Sequence, residues 1–364
     1  MDFDLDEAQR EIAGLAREVL EKEPDPDAAW TALRRAGLLT LAVPEELGGA
    51  GLGTVETALV LTEVGQHTRP VPALETLALG VLPIVSAGTP AQRAELLGAV
   101  AEGAVLTAAV HERSAPLPVA PRTTARADGD GWVVSGTLLG VRFAERAHRI
   151  LTPATLPDGR TGVLLVDPAS AGCVRTPSYT SSGLPECLVE LDGVRVGPGG
   201  LLGGVDAGSD RGGSGRGSSD RGGHALAELH RAAVLGACAV ADGVLAGALA
   251  LTATHLRTRE QFGRPLATFQ AAAGQIADVY LASRTLHLAT TAACWRSDRH
   301  DVAVAGYWLT EQLMPALHTC QHLHGGIGVD TEYPLHRHYA WGKDLARFVG
   351  GNAHRLEVLA CTSS

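Results

Sequence analysis

The segment Arg-Glu-Gln-Phe-Gly-Arg-Pro-Leu (residues 259–266), followed by Phe269 and Gln270, is the most informative stretch of this 364-residue chain. Apolar residues recur before it at spacings of three and four, which predicts a helix that ends near Arg259. A guanidinium at a helix end can make two parallel hydrogen bonds to a diphosphate. Taken alone, such an arginine is more often simply solvated, so its meaning depends on the rest of the chain.

A second segment carries a matching pattern: His-Gly-Gly-Ile-Gly at 324–328, followed by Thr-Glu-Tyr-Pro-Leu-His-Arg at 331–337. Its glycines have no Cβ and would let the backbone approach a ligand closely. A lone Gly-Gly-x-Gly is weak evidence. Its position downstream of Arg259, together with the Glu-Tyr-Pro turn that follows it, makes the pair of segments a strong signal.

The two segments resemble the C-terminal domain of the acyl-CoA dehydrogenase flavoproteins. The resemblance implies FAD as the cofactor, and it implies that Arg259 reaches across a subunit interface to the FAD pyrophosphate. His322 falls where the family usually has glutamine. The residues that the resemblance assigns to FAD binding are Arg259, Phe262, Gln270, His322, Gly325 and Gly326.

The resemblance extends over nearly the whole chain. Residues 37–39, 43–49 and 61–65 are similar to the family's first-domain signature. Several segments resemble one subgroup, the base-lacking subunits of actinobacterial heterotetrameric (α2β2) acyl-CoA dehydrogenases that degrade steroid side chains; these segments are 106–109, 121–124, 282–285 and 345–359. The partner that this subgroup implies is a homologous subunit carrying the catalytic acid.

The catalytic carboxylate of the family is missing at its usual place. The family's reaction removes the α-proton of an acyl thioester with a carboxylate while the β-hydrogen leaves as hydride to the flavin. An alignment without gaps puts Val349 at the usual glutamate, and a shift of one or two places gives Gly350 or Gly351. None of these can accept a proton. The family's alternative position falls within 230–234, where the residues are His, Arg, Ala, Ala and Val.

Three titratable residues remain as weak candidates for a substitute base: Glu228, His230 and Glu357. We interpret each first as a helix-surface residue. A second departure lies at 111–116, which reads His-Glu-Arg-Ser-Ala-Pro where the family has Thr-Glu-Pro and a Gly-Ser pair along the flavin ring. The resemblance therefore implies a chain that keeps the half of an FAD site that serves a neighbour and has lost the half that would hold its own flavin ring.

Composition limits the function further. The chain is 45% apolar with a formal net charge of -10, which favours a large core and argues against nucleic acid or an anionic membrane as the main partner. We expect no leader and no run of about 20 apolar residues able to span a bilayer, and hence a cytoplasmic protein. The 6 cysteines lack paired spacing and the 14 histidines show no metal-site pattern, so we expect reduced thiols and no metal.

The predicted fold class is α+β, in the form of an acyl-CoA dehydrogenase fold. It consists of an N-terminal helical domain (1–107), a central antiparallel β-domain (108–204) and a C-terminal four-helix bundle (225–364) that carries the FAD and oligomer interface. Asp-Gly turns between short β-branched runs indicate the β-domain. Residues 205–224, rich in Gly, Ser, Asp and Arg, are predicted to be a flexible linker.

Three functional hypotheses follow. The leading one is a non-catalytic subunit of an FAD-dependent α2β2 dehydrogenase, acting on the CoA thioester of a steroid or cholesterol side chain and completing the FAD site of a base-bearing partner. The second is a self-sufficient homotetramer with a relocated base. The third is a flavin-free scaffold or binding protein.

Overall fold

The structure of the chain, a computed structural model, describes residues 3–113, 115–204 and 221–362. Its elements run in the order helices, strands, helices, which confirms the predicted architecture. Residues 205–220, most of the predicted linker, lie outside the described residues. The described residues form two compact units, one within 1–29, 54–71 and 234–364 and the other within 30–53 and 72–233.

The N-terminal part is helical, as predicted. Its helices are α1 (Glu7–Lys22), α2 (Pro26–Arg35), α3 (Thr54–Gln66), α4 (Leu82–Ala87) and α5 (Pro90–Ala101). α1 begins with a capping box, in which the Asp6 carboxylate accepts the N–H of Gln9 and the Gln9 side chain accepts the N–H of Asp6. Thr89 and Gln92 start α5 in the same way. Such boxes satisfy N–H groups that have no partner in the first helical turn.

A π-helical segment, Leu74–Val81, lies between α3 and α4, and all of its residues are buried. It carries Glu75, whose carboxylate lies 3.7 Å from the buried guanidinium of Arg142. Burial penalises the charged carboxylate more than Arg142 favours it, so the pKa of Glu75 is raised. This pair belongs to the core of its unit.

The central strands form one seven-stranded sheet and a separate small hairpin. The strands are β1 (Val105–Ala108), β2 (His111–Glu112), β3 (Ala115–Pro116), β4 (Thr124–Asp128), β5 (Gly131–Arg142), β6 (Ala147–Thr155), β7 (Thr161–Val166), β8 (Cys173–Tyr179) and β9 (Pro185–Val196). The sheet order is β1-β6-β4-β5-β9-β8, with β7 also paired to β6. The predicted β-domain is present and mainly antiparallel, but β1 and β4 run parallel to β6. Asp-Gly turns report only hairpins between successive strands, so they could not show this pairing.

The C-terminal part is helical, as predicted. Its elements are α6 (Arg221–Thr258), β10 (Glu260–Gln261), β11 (Arg264–Pro265), α7 (Gln270–Arg296), α8 (Arg299–His324), α9 (Leu335–Phe348) and α10 (Gly351–Thr362). Five helices thus lie where a bundle of four was expected. The short break between α9 and α10 consists of Val349 and Gly350, and Gly350 and the first residue of α10, Gly351, have φ of +93° and +77°.

α6 corrects one expectation from the sequence. Its residues Gly222–Thr258 contain an 18-residue window with a mean hydropathy of 2.0, long and apolar enough by composition to cross a membrane. Alanines between the larger apolar residues give this helix its apolar character, although Asp242 interrupts the run. Of that window, 78% is buried inside the protein, as is typical of a core helix.

The backbones of α3 and α6 pack closely against each other at two glycines. A Cβ on Gly65 would lie 2.1 Å from the carbonyl oxygen of Val240, and a Cβ on Gly243 would lie 1.8 Å from that of Thr62. Both distances are far below contact, so no larger residue fits at either position. The Thr62 hydroxyl also donates to the Ala239 carbonyl over 3.1 Å. α6 is therefore held firmly, and its last turn leads into the candidate site.

Candidate cofactor site

The hairpin after α6 exposes an aromatic side chain. β10 and β11 pair antiparallel and leave Phe262 and Gly263 as the two turn residues. Both have positive φ, +53° and +74°, as a type I′ turn requires. Such a conformation is easy for glycine but rare for phenylalanine. The Phe262 ring is also 93% exposed, and backbone strain together with an exposed apolar ring is typical of a binding loop.

Arg259 lies directly before this hairpin, and hydrogen bonds hold its backbone on both sides. Its N–H donates to the carbonyl of His255 over 2.8 Å, and its own carbonyl accepts the N–H of Leu266 over 2.9 Å. The side chain is exposed. A guanidinium is therefore presented outward from a fixed backbone, which suits the recognition of an anion.

Gln270 is the exposed first residue of α7. The residue before it, Phe269, contacts two side chains of the hairpin. Its ring centroid lies 4.1 Å from Cζ of Arg264 and 6.2 Å from the ring centroid of Phe262, the two rings meeting edge to face. These contacts tie the start of α7 to the hairpin. Arg259, Phe262 and Gln270 thus lie on one segment that aromatic packing stiffens.

The glycine segment caps α8. Gly325 has φ of +62°, and its N–H donates to the carbonyl of His322, whose side chain is exposed in the last turn of the helix. A Cβ on Gly326 would meet no atom within 4 Å, whereas a Cβ on Gly328 would lie 2.9 Å from the carbonyl oxygen of Gln321. Gly326 therefore leaves its backbone open to a ligand. Gly328 is needed by the turn itself, and the approach of a ligand to this segment stays a prediction.

Two stacked histidines join the ends of α6 and α8. The ring centroids of His255 and His324 lie 4.4 Å apart, with planes inclined by 23°. His255 accepts the backbone hydrogen bond from Arg259, and His324 directly precedes Gly325. The stack therefore brings the arginine segment and the glycine segment together in one unit, although they are far apart in sequence.

The hydrogen bonds of His324 define its tautomer. Nδ1 lies 2.8 Å from the carbonyl oxygen of Cys320, which can only accept, so Nδ1 carries the hydrogen. Nε2 then accepts from the hydroxyl of Tyr333 over 3.1 Å. Burial lowers the pKa of His324, and burial followed by the neighbouring charges of His324 and Arg259 lowers the pKa of His255. Both shifts favour the neutral form of the rings.

The side chains and backbone that the sequence assigned to FAD remain available for a ligand. All six positions are exposed and lie in the same unit: Arg259, Phe262, Gln270, His322, Gly325 and Gly326. A guanidinium, an aromatic ring, an amide and an open glycine backbone suit a ligand that combines a diphosphate with aromatic rings. The residues present therefore fit FAD.

In the other unit, the segment expected to have lost its contact with a flavin ring folds back on itself as the β2–β3 hairpin. Ser114, within this segment, lies outside the described residues. The buried carboxylate of Glu112 accepts hydrogen bonds from the N–H of Arg122 (2.6 Å), the N–H of Thr123 (2.8 Å) and the hydroxyl of Thr123 (2.6 Å). Glu112 therefore holds residues 122 and 123 through hydrogen bonds, and both of its carboxylate oxygens are used in these bonds.

The turn at the usual position of the base is closed. Val349 is fully buried, and its carbonyl accepts a hydrogen bond from Nε of Arg355. Burial lowers the pKa of Arg355 to about 10, so its guanidinium stays charged at neutral pH. Gly350 and Gly351 complete the turn in conformations that suit glycine. The polar groups of this turn are thus peptide groups and a guanidinium, and none of them can take a proton from a substrate.

The possible substitute bases have other environments. The Glu228 carboxylate lies 2.6 Å from the guanidinium of Arg231. Burial would raise the pKa of Glu228, but the hydrogen bonds and charges of its neighbours, with Arg231 first among them, together lower it. A carboxylate held ionised in an ion pair is a weak general base. Glu357 is exposed on α10, and His230 is half-buried on α6. These environments favour structural or surface roles.

Sequence reasoning missed the stacked histidines and the buried arginine. The position of His255, four residues before Arg259, was a usable signal, because it places the ring one turn below the arginine. His324 directly precedes the glycines of its motif, and that position alone does not indicate a stacking role. Arg355 gave no local signal, since an arginine in an amphipathic helix is usually exposed.

Two family models match the chain. The model described as acyl-CoA dehydrogenase, N-terminal domain, matches residues 6–104. The model described as acyl-CoA dehydrogenase, C-terminal domain, matches residues 225–360 and includes all six candidate cofactor positions.

Relatives match over the full length. Acyl-CoA dehydrogenase FadE28 of Mycobacterium tuberculosis is 42% identical over 371 residues, covering 100% of this chain and 99% of the relative. The crystal structure of the ChsE4-ChsE5 complex from Mycobacterium tuberculosis is 30% identical with a TM-score of 0.88, covering 99% of this chain and 98% of that one. The structure of a variant of the Tcur3481-Tcur3483 steroid ACAD is 35% identical with a TM-score of 0.85, covering 97% of each chain.

Proposed function

Because this chain belongs to the acyl-CoA dehydrogenase family of FAD-dependent oxidoreductases acting on CH–CH bonds, we propose that it is the supporting subunit of an α2β2 acyl-CoA dehydrogenase. In this role it completes the FAD site of a homologous partner that carries the catalytic acid. One observation carries the proposal: an exposed and stiffened cofactor segment, 259–270, coexists in the same unit with a closed turn at 349–351 that has no acid. Similarity to structures named as a ChsE4-ChsE5 complex and as Tcur3481-Tcur3483 supports the heteromeric form.

The proposed division of labour follows from the residues. FAD, when bound, supplies the acceptor for the hydride that leaves the acyl β-carbon. Arg259 would hold the pyrophosphate, which a guanidinium can bind through two hydrogen bonds, and the Phe262 ring and the Gln270 amide would orient the cofactor. The open backbone at Gly325 and Gly326 admits the cofactor closely. The partner's carboxylate takes the α-proton, so this chain binds and orients but moves no proton itself.

We further propose that the substrate is the CoA thioester of a steroid side chain, such as that of cholesterol, and that the enzyme works in the cytoplasm. Similarity to a structure named as a steroid ACAD supports a steroid substrate. The test compares a steroid side-chain CoA thioester with a straight-chain acyl-CoA of equal side-chain length. We expect the complex to reduce an electron acceptor with the first substrate far faster than with the second, and equal rates would contradict the steroid assignment.

The experiment that tests the subunit role is purification of this chain alone and after co-expression with a homologue that has the acid. Visible flavin absorbance and the mass of the assembly are measured for both samples. We expect flavin only in the hetero-complex, at about one FAD per heterodimer. Full flavin occupancy of the chain alone, bleached by an acyl-CoA without oxygen, would show a self-sufficient enzyme. A complex that contains both chains but no flavin would show a scaffold.

A further inference from the structure

We propose that His255 and His324 are a positioning pair that sets the spacing between Arg259 and the Gly325–Gly326 turn, and that this pair supports FAD binding only while both rings are neutral. The inference rests on the proposed function, because it explains how the two FAD-binding segments are aligned. Neither histidine needs to touch the cofactor.

The first support is the place of the stack in the fold. It joins the last turn of α6 to the last residue of α8, with ring centroids 4.4 Å apart. The carbonyl of His255 accepts the N–H of Arg259, so a movement of His255 moves the backbone from which the guanidinium projects. His324 is followed directly by Gly325, so its ring fixes where the glycine turn begins. The stack is thus a direct side-chain link between the two segments.

The second support is that His324 is anchored on its other edge. Its two nitrogens face the carbonyl oxygen of Cys320 and the hydroxyl of Tyr333, and its ring centroid lies 5.2 Å from that of Tyr333. Tyr333 belongs to the segment that leaves the glycine turn, and its N–H donates to the carbonyl of Asp330 over 3.2 Å. Both nitrogens of the His324 ring are therefore held in place, so His255 stacks on a ring of fixed orientation.

The charges around the two rings explain why the stack requires both rings to be neutral. Within the part of the chain that the structure describes, His324 and Arg259 add to burial in lowering the pKa of His255, and the Tyr333 hydroxyl hydrogen-bonds to His324, to which Cys320 offers only its backbone carbonyl. None of them is negative at pH 7. A proton on His255 would place a cation against a second imidazole and near the guanidinium of Arg259, and no carboxylate is among the groups that shift the pKa of either ring. Protonation therefore favours separation of the rings.

The direction of the pH effect follows from linkage. In the stacked state both pKa values lie below the ordinary value of 6.5. A state in which the rings separate and reach solvent would have higher pKa values and take up protons first, so the stacked state is fully favoured while both rings are neutral and loses stability as pH falls through the ordinary histidine range. FAD should therefore leave more readily in acid. The opposite sign is expected if a protonated His255 acted instead as a second cation for the pyrophosphate.

The test uses the hetero-complex and measures the dissociation constant of FAD at about pH 7.5 and about pH 5.5, on either side of the ordinary histidine range. His255→Ala removes the stack, and we expect FAD binding about three- to tenfold weaker at the higher pH. His255→Phe keeps a stacking ring that cannot take a proton, so binding at the higher pH should stay within about twofold of the original, with a smaller loss in acid. His300→Ala, at an exposed histidine of α8, is the matched control and should change neither value.

Independent outcomes separate this inference from the proposed function. If Arg259→Ala leaves FAD binding intact, the proposed function itself fails. If Arg259→Ala weakens binding about 100-fold while His255→Ala and His255→Phe match the original at both pH values, only the positioning pair fails. FAD binding that strengthens in acid would also overturn it. If His255→Ala prevents assembly, the FAD affinity of His255→Phe at the two pH values still tests the positioning pair. Hydrogen exchange at 256–260 and 325–330 in the flavin-free complex tests it without the cofactor.

Discussion

The cofactor segment at 259–270 and the turn at 349–351 lie in the same unit and are built in opposite ways. The first keeps Phe262 at positive φ with its ring exposed, which costs stability in the free chain. The second buries Val349, whose carbonyl accepts a hydrogen bond from Arg355, and this stabilises the chain. The difference teaches that the first region is shaped for an external ligand and the second for its own core. Predictions that disturb each region separately should therefore have effects of different kinds.

The largest expected effect is on the cofactor segment. Arg259→Ala should weaken FAD binding by the hetero-complex about 100-fold, because a hydrogen-bonded pair with a charged group contributes about 3 kcal/mol. Equilibrium titration of the flavin-free complex with FAD measures this. Arg257→Ala is the matched control, since Arg257 is also exposed near the end of α6 and hydrogen-bonds to Thr254. Equal losses in both variants would mean that general positive charge, and not Arg259, holds the cofactor.

The second prediction concerns the closed turn at 349–351, where stability and not FAD binding should change. Arg355→Ala should lower the free energy of unfolding by about 2 kcal/mol, because it leaves a void and removes the donor to the buried Val349 carbonyl. Chemical denaturation of the purified complex measures this change. Arg299→Ala, at an exposed position of α8, should change stability by less than about 0.5 kcal/mol. If Arg355→Ala weakens FAD binding without changing stability, the turn is part of the cofactor site and the comparison fails.

The same contrast explains what the sequence could predict. The cofactor segment could be located from the sequence because its motif matches a known family pattern, whereas the tight turn at Phe262-Gly263 could not, because phenylalanine rarely adopts positive φ. The His255–His324 stack was not predictable, because it depends on how two long helices pack. The same holds for the parallel pairing of β6, which hairpin signals do not report. Local chemistry was thus readable, and contacts between distant elements were not.

The third prediction separates backbone conformation from ligand approach within two adjacent glycines. Gly325→Ala should cost about 1 kcal/mol of stability, because Gly325 has positive φ. Gly326→Ala should leave stability unchanged, since a Cβ there meets nothing within 4 Å, but it should weaken FAD binding several-fold if the cofactor lies against that backbone. Thermal unfolding of the flavin-free complex and FAD titration measure the two effects. Normal FAD binding by Gly326→Ala would place the cofactor away from this turn.

The smallest expected effect concerns the residues considered as substitute bases. Glu228 is held ionised by Arg231, and Glu357 is exposed on α10, so neither environment favours proton abstraction. Glu228→Gln and Glu357→Gln should each leave the turnover per bound FAD within about twofold, whereas loss of a true general base costs about 100-fold or more. Replacement of the partner's acid by its amide is the positive control. Glu228→Gln also removes an ion pair, so turnover must be normalised to bound flavin. A large loss of turnover at constant flavin content in either variant would place the base on this chain, and the closed turn at 349–351 would then mark a relocated active site rather than a supporting subunit.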